Sequence, residues 1–198
     1  MRLRLVALLA ILGIGGSLSA AAYAGSPEAK DGFDVNEIRH SHYFTIYVEE
    51  GTDLNDLAVK LAVPPSIKAI IRDIPSSSGG FSFEDQMDIL FLAVSEIMDI
   101  RLKKFHGEVK ICKDAASLSR VATNLFGRSI QPRAFYVVGL DTLYVDADTV
   151  TLNVLGHELS HAVQTHYFVV APPEKIQEVL AGFVEYQLRK YTHTLPNS

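Results

Sequence analysis

The chain has 198 residues, of which 48% are hydrophobic and 21% charged, a balance that fits a folded core in one domain and excludes a disordered chain. The formal net charge is −5. It becomes −7 once a leader carrying Arg2 and Arg4 is removed, which argues against nucleic acid as a partner. A single cysteine, Cys112, excludes an internal disulfide and reads as a small buried hydrophobe.

Arg2 and Arg4 precede an almost wholly apolar run from Leu5 to Ile14, and Ala22-Tyr23-Ala24 is a small-x-small cleavage site. That order predicts a secretory signal peptide over 1–24, with Gly25 as the mature N-terminus. The run is shorter than a bilayer span, which favours cleavage over an uncleaved N-terminal anchor, and nothing else in the chain reads as a membrane span. The expectation is one domain over 25–198, exported to a periplasmic or secreted location.

Residues 25–39 read as a polar lead-in, and 43–49, rich in aromatic and β-branched side chains, as a strand. Residues 53–62 have helical spacing that Pro64-Pro65 stops, and the Pro-Ser-Ser-Ser-Gly-Gly stretch at 75–80 is a loop. A long helix follows over about 82–105, with Ser82 and Asp85 at its cap. A strand is expected at 107–112 and a helix at 115–126. Strands at 134–138 and 142–145 flank a three-residue hairpin loop, Gly139-Leu140-Asp141. Asp146 or Asp148 is available to cap the next helix. That helix gives way at 168–171, and Pro172-Pro173 opens a last one reaching about Tyr191. Glu49, Glu50 and Asp53 read as a solvated loop, and His40 and His42 as structural or solvated. The fold class predicted is α+β, a small mixed or antiparallel sheet beside several helices.

The next-to-last helix carries Val154-Leu-Gly-His-Glu-Leu-Ser-His-Ala-Val163, so His157, Glu158 and His161 form an H-E-x-x-H pattern. Residues four apart on a helix lie on one face, where two imidazoles can bind one metal ion and the neighbouring carboxylate can reach its water. At about 100° per residue from His157, His161 falls near 40° and Glu158 near 100°, while Leu155, Leu159, Ala162 and Val163 span roughly 140–240°. His166 falls with the apolar residues, as a packed histidine rather than a ligand.

Catalytic zinc takes three protein ligands and a water. The chain lacks a third histidine in the metzincin position, so a carboxylate on the following helix is the other source. In an antiparallel hairpin, His161 and Glu178 each lie six residues from the link, about 9 Å from the turn. Glu178, Ala181, Gly182 and Glu185 form one stripe, whose two small residues would allow close approach of the helices. Glu185 is the other candidate ligand, or a carboxylate that orients a ligand. The same stripe also fits glutamates that simply face water.

Asp141-Thr-Leu-Tyr-Val-Asp-Ala-Asp, His157-Glu-Leu-Ser-His161 and Glu178-Val-Leu-Ala-Gly resemble a gluzincin, the thermolysin-like peptidase clan, over about residues 134–191. The resemblance implies a zincin-like fold, with His157, His161 and Glu178 as zinc ligands and Glu158 as general base. It also implies that the strand near 143–145 borders the cleft and pairs with an extended substrate. A departure is that 16 residues separate His161 from Glu178, slightly fewer than in the thermolysin type. Tyr186, Tyr191 and His193 are available as oxyanion donors. The function expected is an exported zinc peptidase acting on a peptide or protein substrate, open to regulation by a protein partner. The alternative is a zinc-binding structural or binding module of the cell envelope.

Overall fold

A computed structural model describes residues 7–8, 31–74 and 81–195. The remainder of the expected leader and the 75–80 loop lie outside the described residues. The fold is α+β: a mixed sheet with six helices. Its strands are β1 (Ala7–Leu8), β2 (Glu37–His40), β3 (Phe44–Val48), β4 (Gly107–Cys112), β5 (Ala134–Val137) and β6 (Thr142–Asp146), in the spatial order β1-β5-β6-β4-β3-β2. β3, β4 and β6 run parallel, while β2, β5 and β1 pair antiparallel toward the two edges.

Side chains alternate across the sheet because successive strand residues point to opposite faces. Ile46, Val109, Ile111, Tyr136, Leu143 and Val145 enter the main core, whereas Cys112, Phe135, Val137 and Tyr144 enter a second, smaller core. The helices α1 (Leu54–Lys60), α2 (Pro65–Lys68), α3 (Phe83–Ile97), α5 (Leu152–Tyr167) and α6 (Glu174–Tyr191) cover the main face. α4 (Ala115–Phe126) alone covers the other. The sheet is therefore clad on both faces at β5 and β6, whose residues are all buried, whereas β4 alternates and leaves Glu108 and Lys110 half-buried. Cys112 lies fully buried, and burial pushes its thiol far above the ordinary range.

Local chemistry sets the helix ends. Asp53 and Ser82 cap α1 and α3 through their side chains, Asp114 caps α4, and Gly127 closes α4 in the left-handed region. α3 stops at Ile97, short of the expected 105, and the chain turns at Asp99 with a positive φ of 53°. Neither Asp146 nor Asp148 caps α5. Thr151 holds the cap position without a side-chain bond, because the Asp146 carboxylate is already engaged by the Asp148 N–H and the Thr149 hydroxyl.

Two loop assignments are corrected by pairing. Part of the lead-in is ordered: β2 pairs with β3, and buried Asp31 accepts from the Tyr144 hydroxyl and ion-pairs with Lys110. Glu49 is buried rather than solvated. It accepts from the Lys113 N–H, the Ser117 hydroxyl and the Arg120 guanidinium, which offset the loss of water around its charge.

Candidate metal centre

α5 and α6 form an antiparallel hairpin, and their pairing builds the site. Gly156 of α5 packs against Leu188 of α6: a Cβ there would lie 2.1 Å from Leu188 Cδ1 and 3.7 Å from Val94. The close approach was expected at Ala181 and Gly182. Ala181 is indeed buried, but Gly182 is exposed, with no atom within 4 Å of a Cβ built on it. The small residue that lets the helices meet is therefore on α5, one position before the first histidine.

From Val154 to Gln164 α5 is buried all round, since the sheet lies under it, α3 beside it and α6 over it. His157 is 7% exposed, His161 1% and Glu158 0%. His157, His161 and Glu178 converge, with one ligand atom from each lying within 4.8 Å of the others. The His157 Nε2 is 3.6 Å from Glu178 Oε2, and the His161 Nε2 is 3.7 Å from Glu178 Oε1. Both Nε2 atoms thus face one carboxylate. Glu178 therefore lies at the depth of both histidines, although its side chain remains 37% exposed.

These residues fit a metal ion. The Nε2 atoms are buried and make no hydrogen bond among the described residues. An unsatisfied buried polar atom costs about 1–3 kcal/mol, and a metal ion placed between these two would satisfy both. Bonds of about 2.0–2.2 Å in a tetrahedral site put neighbouring ligand atoms roughly 3.4 Å apart, close to the separations found here. Two imidazoles and a carboxylate are a donor set suited to zinc.

The surrounding charges divide the two histidines. Burial opposes charge on His157, but the Glu178 and Glu185 carboxylates outweigh it and raise the imidazole to about 10. Burial, with His157 alongside, holds His161 well below the ordinary range, so it stays neutral. Glu185 Oε2 lies 3.4 Å from His157 Nδ1, on the side of the ring away from Glu178. Its other oxygen accepts from Arg189 Nε at 3.0 Å and Nη2 at 2.8 Å, and from Asn153 Nδ2 at 3.2 Å. Glu185 is therefore a carboxylate behind a ligand and lies outside the converging trio. Sequence reasoning missed Arg189 and Asn153; the four-residue spacing of Glu185 and Arg189 was the available signal for the first.

Glu158 points to the sheet. Its Oε2 accepts the Tyr136 backbone N–H at 3.0 Å. The strand beside this carboxylate is thus β5, not β6. β6 is flanked on both sides by paired strands and has no free edge for a peptide, whereas among the described residues β5 has only Ala7–Leu8 on its outer side.

His166 meets Phe105 edge-on but is exposed rather than buried among the apolar residues as expected, and it takes no part in the trio. Its two ring nitrogens meet Asp141 Oδ2 at 3.1 Å and the Ala162 carbonyl at 2.9 Å. Of the expected oxyanion donors, Tyr186 lies exposed on the outer side of α6, and Tyr191 and His193 lie more than three turns beyond Glu178. A surface concavity of about 970 Å³ lies elsewhere, between β2, the start of α1 and the start of α3. Among the described residues it holds no converging ligand set.

No family model matches the chain, and neither a curated protein nor a solved structure does. The functional reading therefore rests on the residues themselves.

Proposed function

We propose that this chain is an exported zinc-dependent peptidase, with His157, His161 and Glu178 as ligands and Glu158 as general base. The observation that carries the reading is the convergence of Glu178 on the two imidazoles of H-E-x-x-H, with a buried glutamate beside them. Zinc bound there would supply Lewis acidity toward the scissile carbonyl and lower the pKa of its water.

The chain's own residues do the rest. Glu158 takes the proton of the attacking water as the carbon–oxygen bond forms, then gives it to the nitrogen as the carbon–nitrogen bond breaks. The Tyr136 N–H fixes one oxygen of that carboxylate, so the proton moves along a held direction. His161, kept neutral by burial, has its lone pair ready for a metal. Glu185, clamped by Arg189 and Asn153, keeps the His157 ring turned with Nε2 inward. An extended peptide would pair with the outer edge of β5 once the leader segment containing Ala7–Leu8 is removed.

A non-catalytic zinc module is the second reading. A site that only joins two helices needs no base, and a fully buried carboxylate beside the ligands disfavours it. The experiment compares hydrolysis of an unfolded protein substrate by zinc-loaded wild type and Glu158→Gln. The expected loss is about 10²–10⁴-fold with zinc retained. Equal activity in the variant defeats the mechanism, and a zinc-loaded wild type inert on varied substrates favours the second reading.

A further inference from the structure

α6 is amphipathic, yet its exposed side carries a run of large apolar residues that no described residue covers. Taking about 100° per residue from Glu178, buried Val184, Leu188 and Ala181 fall between roughly 240° and 300°, against α5 and the core. The acids Glu174, Glu178 and Glu185 all lie within about 40° of the direction of the metal cluster. The remaining arc, from about 60° to 160°, carries Ile176, Val179, Phe183 and Tyr186, all exposed, with Val179 at 61%. Its only charged residues are Lys175 and Lys190, both exposed.

The turn before α6 extends this surface. Residues 167–173 read Tyr-Phe-Val-Val-Ala-Pro-Pro, with no charge. Val169 is 102% exposed and Val170 82%, so the tip of the hairpin touches almost nothing of its own chain. A contiguous exposed apolar patch marks an interaction site.

The lysines select the occupant. In a two-fold dimer the same face meets itself, which brings lysine toward lysine with no acid on the arc to neutralise them. Anionic headgroups supply that countercharge. Lysine stems lie along apolar surface while their ammonium groups reach outward, and a protruding aliphatic tip beside aromatic rings suits the headgroup–acyl boundary. No described helix is long and apolar enough to cross a membrane, so the attachment is peripheral. We propose that the outer face of α6 and the 167–173 tip dock this protein on an anionic lipid surface. The proposal does not depend on the site being a peptidase.

The test is co-sedimentation of the full chain with phosphatidylcholine vesicles, with and without about one-third phosphatidylglycerol. Wild type should partition onto the anionic vesicles and come off as salt is raised. Lys175→Glu/Lys190→Glu and Val169→Ser/Val170→Ser should each weaken partitioning about tenfold or more, at unchanged melting temperature, because these side chains are exposed. Three outcomes overturn the proposal: no partitioning by wild type, partitioning equal in wild type and both variants (which assigns it to the apolar N-terminal segment), or a concentration-dependent dimer that the variants abolish.

Discussion

Glu185 faces His157 across 3.4 Å on the ring nitrogen turned away from Glu178. The carboxylate is immobilised by Arg189 from its own helix and by Asn153 from the facing one. Orientation of the first imidazole is thus a property of the helix pair.

This relationship makes Arg189 a residue that would act on the proposed metal from a distance. Arg189→Met should lower zinc affinity about 10–100-fold, and Arg189→Lys should restore only part of it, since lysine lacks the two-nitrogen fork. Competition titration with a chromophoric chelator measures both. Unchanged affinity in Arg189→Met, at unchanged stability, contradicts the role.

Two glycines should respond oppositely to the same change. Gly156→Ala places a methyl against Leu188 in a packed interface and should cost about 1–3 kcal/mol, while pushing α6 and Glu178 outward and weakening zinc binding. Gly182→Ala meets nothing and should stabilise the helix by up to about 1 kcal/mol. Denaturant unfolding of the two variants decides it. Equal effects would show that the helices do not meet where Gly156 lies.

The His166–Asp141 pair links the end of α5 to the β5–β6 turn, and Asp141 also accepts from the Tyr136 hydroxyl at 2.6 Å. The Asp141 carboxylate, against partial burial and with help from the Ala162 carbonyl, raises the His166 imidazole above its ordinary value. A raised folded-state pKa means the stabilisation is complete below about pH 6.5 and is lost as pH rises through the folded value. The pair is partly open to solvent, so its worth is under about 1 kcal/mol. Melting temperatures of wild type and His166→Asn from pH 5 to 9 should differ most at the acid end. A difference that grows with pH contradicts this sign.

Much of the scaffold was legible in the sequence because it depends on local signals. Ser82 before a helical period gave the start of α3, and the 115–126 helix matches because Asp114 and Gly127 punctuate it. H-E-x-x-H gave two imidazoles on one face, and equal distance from the hairpin turn gave Glu178. What stayed hidden depends on packing between distant segments. Glu49 looked solvated until the sheet brought Arg120 and Ser117 to it. The preference for β5 over β6 beside Glu158 required strand order, which hydrophobic periodicity does not carry. Nothing in the local pattern marks Gly156, whose fit depends on the position of Leu188 on the facing helix.

The central claim is that a helix hairpin brings His157, His161 and Glu178 onto one metal. Its most direct test is titration of the apo-protein with zinc, with cobalt as a spectroscopic stand-in, for wild type and Glu178→Gln. Wild type should bind one equivalent and give the visible spectrum of tetrahedral cobalt, and Glu178→Gln should bind at least about 100-fold more weakly with an altered spectrum. The same stoichiometry, affinity and spectrum in Glu178→Gln would contradict the claim.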